Sequence, residues 1–185
     1  KGGGRSEPGV RRITAAAAGA GLRRIEGRLV TDVARTAIDV ARAADFARAV
    51  GTLDWALWRR NPHRVSRERL AEELRKLPGT MRRRFVERAI VFASPLSDSY
   101  AESYTRALMF ELGYELPELQ VEFPHSTGVY AVDFCWRARR VIAEFDGFGK
   151  YLDPALNKGD PARTVLAEKL REDHLRGQGY AVIRL

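Results

Sequence analysis

The sequence predicts an α/β chain, with a mainly helical first part and a second part in which a mixed central sheet is flanked by helices. Three observations predict it. Up to about residue 93, apolar side chains recur at helical spacing, and several of these runs open on a capping residue. Beyond Ala93-Ser94-Pro95, three segments change to the alternation or unbroken apolar run of strands. A long helix-compatible stretch then separates the third strand from a last apolar one.

The elements follow in order. Residues 1–9 are glycine-rich and read as loop or strand edge, and Val10–Ile13 as a short strand. Leu22–Ile25 and Gly27–Val30 read as two strands around a turn at Glu26-Gly27. Thr31 or Asp32 caps a helix to about Ala44, whose apolar set is Val33, Ala37, Ile38, Val40 and Ala41. A second helix covers about Asp45–Arg59, and Asn61-Pro62 breaks the pattern. Ser66 opens a third, with Leu70, Leu74 and Leu77 on one face, and Met81–Phe92 is a fourth. Ser94 with Pro95 at the first helical position starts a fifth, running to Leu112 and closed by Gly113. Leu119–Phe123, Val129–Trp136 and Val141–Asp146 are strands, and Tyr151–Gly159 is a loop. Asp160-Pro161 opens a helix to about Gln178, and Tyr180–Leu185 is the last strand.

The 185 residues are 45% hydrophobic and 30% charged, a composition of globular chains that suffices for two small cores. No apolar run reaches the roughly 18–20 residues of a membrane span. With one cysteine, Cys135, no intrachain disulfide forms. That and the absence of a secretory signal fit a cytoplasmic setting. Cys135 reads as a half-buried packing residue, and no zinc-ligand spacing exists. The chain begins at Lys1 and ends on an apolar run, which suggests a piece of a longer protein.

Charge divides the chain. Residues 1–93 hold 21 basic and 10 acidic side chains, a net +11; residues 94–185 hold 11 and 14, a net −3. The first part is suited to phosphate backbones, although a generally arginine-rich composition accounts for it equally well. Its Arg82-Arg83-Arg84 run is a candidate nucleic-acid contact, with a solvated helix face as the plainer reading.

The second part carries the chemistry. Residues two apart on a strand share a face, so Glu144 and Asp146 point the same way. Four residues, 137–140, join Val129–Trp136 to the next strand. A symmetric hairpin then sets Trp136 against Val141 and Asp133 against Glu144. Like charges placed opposite one another destabilise a sheet, and a hard divalent cation is the natural compensation, with Lys or Arg as the alternative. Lys150 follows Asp146 past Gly147 and Gly149, two residues that allow a sharp turn. There it would orient a water or neutralise a phosphate. Gln120, on the preceding strand, is placed to line the same patch. His63, His125 and His174 show no ligand spacing, although His174 lies on a helix that could approach the site. Trp55, Trp58 and Trp136 read as core or rim aromatics, with stacking on bases as the alternative.

The order Glu102 on a helix, Asp133 in Val-Asp-Phe, Glu144-Phe-Asp146-Gly and Lys150 resembles the PD-(D/E)XK nuclease superfamily. Within it, Ser94-Pro95-Leu96…Glu102…Arg106, the helix Leu166–Asp173 and the strand Gly179–Arg184 resemble the very-short-patch-repair-like (Vsr-like) endonucleases, over about residues 94–185. The resemblance implies a restriction-endonuclease-like fold and Mg²⁺- or Mn²⁺-dependent cleavage of DNA. Asp133, Glu144 and Asp146 would hold the metal, Lys150 would stand where the family has Lys or His, and Glu102 would be an accessory acid. The plain reading of Glu102 is an i,i+4 pair with Arg106. Asp146 stands where the strict motif has lysine. Residues 10–92, through Gly27–Ala41, more loosely resemble the C-terminal region of AbiEi-type antitoxins. Members of that two-part kind begin with a DNA-binding winged helix, which here would precede Lys1 or be absent. Two functions follow as expectations: a metal-dependent DNA endonuclease, in phage defence or repair, or a catalytically inactive DNA-binding regulator with a protein partner. A third, a purely structural module, requires Asp133 and Glu144 to lie far apart.

Overall fold

The computed structural model describes residues 21–77, 82–126, 128–145 and 161–185, leaving aside the side chains of 161–165. The expectations for Val10–Ile13, Tyr151–Gly159, Asp146, Lys150 and Asp160 lie outside these residues.

The first element among the described residues is a hairpin, β1 (Leu22–Ile25) and β2 (Arg28–Thr31), paired from Leu22↔Thr31 to Ile25↔Arg28. Its two-residue turn uses Glu26 at φ +48° and Gly27 at φ +78°, the left-handed pair that matches the twist of the strands. Helices α1 (Val33–Ala43), α2 (Phe46–Leu57) and α3 (Arg67–Lys76) begin at Asp32, Asp45 and Ser66. Each of these side chains accepts from the backbone N–H three residues on, at 2.8, 2.8 and 3.1 Å. A cap of this kind is worth about 1 kcal/mol. Helix α4 (Arg83–Phe92) has no side-chain cap.

Helix α5 (Tyr100–Glu111) begins six residues after the expected cap. Ser99, not Ser94, accepts from Glu102 N at 3.1 Å. The reason is tertiary. Asp54 Oδ1 takes the Ser94 N–H at 2.7 Å, and Pro95 O accepts from Arg59 N at 3.2 Å, so residues 94–98 are held against the end of α2 rather than coiled. Gly113 at φ +75° closes α5 as expected.

The helices enclose a core rich in small side chains: Ala37, Ala41, Ala49, Ala56 and Ala89 lie around Phe46, Ile38, Leu53, Leu70 and Leu74. Alanine lets helices approach closely, and Ala107 carries α5 into this same core. Buried charge is matched there. Arg106 Nη2 meets Asp54 Oδ2 at 2.8 Å, both nearly fully buried. Glu73, 0% exposed, lies 3.2 Å from both Arg69 and Lys76 and 3.8 Å from Arg35.

The second part is a four-stranded mixed sheet in the order β3 (Glu118–His125), β4 (Gly128–Trp136), β5 (Val141–Glu144), β6 (Ala181–Arg184). The first three strands run antiparallel, and helix α6 (Pro161–Gly177) returns the chain so that β6 lies parallel to β5. Its smaller core joins Val121, Phe123, Val132, Cys135, Ile142 and Leu175. Cys135 is wholly buried, and burial pushes its thiol up, as a packing role requires. The α/β class and the mixed sheet are as the sequence predicts. No helix among the described residues is long and apolar enough to cross a membrane.

Candidate acidic site

Two strands set the geometry. On β4, Asp133 lies between Val132 and Phe134, both 0% exposed, so the backbone on either side of it is anchored. On β5, Glu144 follows Ile142 and Ala143, which are equally buried. The register is symmetric about the connecting 3₁₀ turn: Trp136↔Val141, Cys135↔Ile142, Phe134↔Ala143. The next position in that register sets Asp133 against Glu144, as the loop length predicts. The register thus carries the two residues toward one another rather than to distant parts of the sheet.

The sheet accommodates this pair through three contacts. Asp133 Oδ2 accepts from Phe145 N at 2.9 Å, taking the N–H that would extend the strand ladder. Its Oδ1 accepts from Gln120 Nε2 at 3.3 Å. Glu144, 6% exposed, has Oε1 2.6 Å from Arg171 Nη2 on α6. Arg171 also donates to Ala131 O at 2.5 Å, so it ties α6 to β4 as well as to Glu144.

A third carboxylate approaches from the helical side. Glu102, in the first turn of α5, is 4% exposed. Its Oε2 accepts from Asp98 N at 2.9 Å and from Gln120 Nε2 at 3.3 Å. The expected Glu102–Arg106 pair is absent, because Arg106 reaches instead to Asp54 and Phe92 O. Gln120 therefore connects Glu102 to Asp133 through one amide. Its backbone is at φ +51° inside β3, a conformation a non-glycine residue rarely adopts. Strain of that kind, about 1–3 kcal/mol, is held where surrounding structure requires it, and it collects at functional sites.

Burial, and after it the charge of Asp133, raises Glu102 above the ordinary carboxylate range. The Asp98 N–H and the Ser99 hydroxyl oppose that shift without reversing it. Among the described residues, no Lys, Arg or His lies within ion-pair distance of Glu102 or Asp133.

The donor set is hard oxygen, which suits Mg²⁺ or Mn²⁺ held by one or two carboxylates and completed by water. Among the described residues, no group of three or more His, Cys, Asp or Glu side chains is placed to hold a metal ion. Asp146 and Lys150 fall outside the described residues, so the site consists here of Glu102, Asp133 and Glu144.

Two uncharacterised proteins of Mycobacterium tuberculosis are similar to this chain: MT2308 of strain CDC 1551 / Oshkosh and Rv2248 of strain ATCC 25618 / H37Rv. Each is 33% identical over 166 residues, which is 89% of this chain and 57% of the relative. The chain thus spans little more than half the length of the curated relatives it matches. No family model matches the chain. No solved structure matches it either.

Other candidates take structural positions. Arg82 Nη1 donates to Arg42 O at 2.8 Å and its guanidinium lies over the Phe85 ring; Arg83 Nη2 donates to Leu77 O at 2.6 Å. Arg84 alone of that run is exposed. His174 stands beside Pro124 O and Gln178, in a ring cluster with His125 and Tyr130 rather than with the carboxylates. Trp136 donates to Glu115 O at 2.9 Å. Sequence reasoning missed Arg171, whose place depends on how α6 crosses the sheet, and Asp98, whose role is a backbone N–H.

Proposed function

We propose that this chain is a metal-dependent nuclease acting on DNA, with a restriction-endonuclease-like second domain at about residues 94–185 and its acidic site at Glu102, Asp133 and Glu144. One observation carries the reading. Glu102 and Asp133, from two elements, share the Gln120 amide and face no cation among the described residues, and the β4–β5 register leads on to Glu144 across from Asp133. Burying carboxylates without counter-charge opposes folding, so such a cluster implies a ligand that supplies the charge.

A bound Mg²⁺ or Mn²⁺ would polarise the phosphodiester and lower the pKa of a coordinated water. Asp133 and Glu144 would hold it. Asp133 is oriented by Phe145 N–H and Gln120, and Glu144 by Arg171. Glu102 retains its proton to higher pH than an ordinary glutamate and would be the acid or base of the site. The basic first part would position the DNA backbone.

The test is calorimetric titration of Mg²⁺ and Mn²⁺ into the wild type and the Asp133→Asn/Glu144→Gln double variant, alongside cleavage of plasmid DNA. We expect binding and EDTA-sensitive cleavage by the wild type and neither by the double variant, which should remain folded. Cleavage surviving both substitutions would sink the assignment.

A second reading has an observation of its own. The Arg171 guanidinium lies against Glu144, where a metal would otherwise sit, and Asp146 replaces the motif lysine. On that reading the chain is a DNA-binding regulator with an antitoxin-like protein partner, and salt-sensitive DNA binding without metal-dependent cleavage would be found.

A further inference from the structure

Beside the acidic site lies a cavity that the site itself does not use. It measures about 380 Å³ and opens between α2 and the segment leading into α5. Trp55, Trp58 and Tyr100 line it. Trp55 is 55% and Tyr100 56% exposed, unusual for aromatic rings of this size next to a core. The seat of Tyr100 is specific. Gly51, in the middle of α2, approaches the ring so closely that an added Cβ would lie 2.5 Å from Cε2. A mid-helix glycine costs about 1 kcal/mol relative to alanine, and here it makes room for that ring.

The polar groups of the cavity are few. Ser97 lines it, is 5% exposed, and its hydroxyl has no hydrogen-bond partner. Thr52 and Ser103 each donate to a helix carbonyl, to Arg48 O at 3.1 Å and Ser99 O at 3.2 Å, which leaves their lone pairs as acceptors. At the rim, Asp98 accepts from Trp58 Nε1 at 2.8 Å and holds Arg59 at 3.8 Å and Arg60 at 3.2 Å. Both arginine side chains are well exposed, at 40% and 61%.

Two of the lining residues also hold the acidic site. Asp98 donates its N–H to Glu102 Oε2, and Ser99 caps the turn that carries Glu102. The cavity and the carboxylates are thus separated by one turn of backbone.

We propose that this cavity receives one unstacked base of a single-stranded or locally unpaired nucleic acid, with Trp55 and Tyr100 as stacking faces and Arg59 and Arg60 on the flanking phosphates. The inference rests on the nuclease reading and names its substrate class. Every base presents a π-face, and exposed aromatic rings with neighbouring arginines are the chemistry by which single strands are held without regard to sequence. A base in an intact duplex cannot enter without leaving its stack. The half-exposed Thr52 hydroxyl supplies an acceptor for the base edge, and the arginines the charge that the phosphates require.

Binding is measured in EDTA, so that no cleavage intervenes, by fluorescence anisotropy of a labelled oligothymidylate of about 10 nucleotides, a length within typical single-strand sites. A blunt duplex serves as the comparison. Trp55→Ala weakens oligothymidylate binding about tenfold, Trp55→Phe restores most of it, and duplex binding changes little. Tyr100→Ala weakens single-strand binding in the same sense. Wild-type affinity in Trp55→Ala, equal losses for single strand and duplex, or no binding of oligothymidylate by the wild type each overturns the proposal. Trp55→Ala is also titrated with Mg²⁺ and should release the same heat as the wild type. Failure of the nuclease reading then shows separately, as absent cleavage beside intact Trp55-dependent binding.

Discussion

Two glutamates, one in each region, are buried to nearly the same degree and treated in opposite ways. Glu73, in the helical core, is 0% exposed and is surrounded by Arg69, Lys76 and Arg35. Glu102, in the first turn of α5, is 4% exposed and receives N–H groups and the Ser99 hydroxyl, but no cation among the described residues. After burial, the largest influence on its titration is another carboxylate, Asp133. The helical part, with its net +11, has spare arginines for each buried acid. In the sheet part, with a net −3, Arg171 is committed to Glu144. A buried acid that meets its cation within the fold is structural. One denied a cation raises the energy of the empty protein, and such a position persists where a ligand completes it.

That contrast predicts opposite outcomes for the same chemical change. Glu73→Gln removes the acid shared by Arg69, Lys76 and Arg35, and should destabilise by about 3 kcal/mol, the low end for a broken buried pair because Arg69 and Lys76 reach water and Arg35, 2% exposed, keeps Asp39 at 2.8 Å. Denaturant unfolding measures it, and an unchanged midpoint would break the comparison. Glu102→Gln should behave differently with pH. The folded-state pKa of Glu102 is raised, so folding favours its protonated form, and the wild type regains stability as pH falls through that raised value. The amide cannot titrate. The stability of Glu102→Gln relative to wild type should therefore increase from acid pH to pH 7. A flat difference would mean that Glu102 feels neither burial nor Asp133.

Gln120 sharpens the contrast at the backbone. Gln120→Ala and Gln120→Gly both remove the amide that joins Glu102 to Asp133, so their difference reads φ alone. At φ +51° the glycine variant should be the more stable by about 1 kcal/mol, the reverse of the usual order within a strand. If alanine were the more stable, the left-handed backbone would not be under strain. Both variants should weaken Mg²⁺ binding, because Glu102 and Asp133 lose their common donor.

Much of this architecture is legible in the sequence, because it is set by local signals. Asp32, Asp45 and Ser66 mark helix starts by hydrogen bonds three residues long. The loop 137–140 fixes the β4–β5 register, which runs from Trp136↔Val141 to Phe134↔Ala143 and leads on to Asp133 and Glu144. The contacts that complete the site span the chain: Arg171 arrives from 27 residues beyond Glu144, and Gln120 is bent by groups on two other elements. No period or spacing encodes them.

The smallest prediction concerns the one cap that local signals misplace. Ser94-Pro95 and Ser99-Tyr100 both precede helix-compatible residues, and Ser94 has the better sequence, with proline at the first helical position. The fold chooses Ser99 because Asp54 holds the Ser94 N–H and Arg59 donates to Pro95 O. Ser99→Ala should cost about 1 kcal/mol. It also removes the hydroxyl that helps to hold Glu102 ionised, so the pKa of Glu102 should rise further. Ser94→Ala removes only a side-chain contact to Leu96 N at 3.2 Å and should fall within about 0.5 kcal/mol of wild type. Asp54→Asn is the decisive third variant. It weakens the acceptor that keeps residues 94–98 uncoiled, so Ser94→Ala should cost more in that background than in the wild type. Strict additivity of the two changes would show that the boundary between the helical region and the acidic site is set by the chain itself and not by the buried Asp54–Arg106 pair.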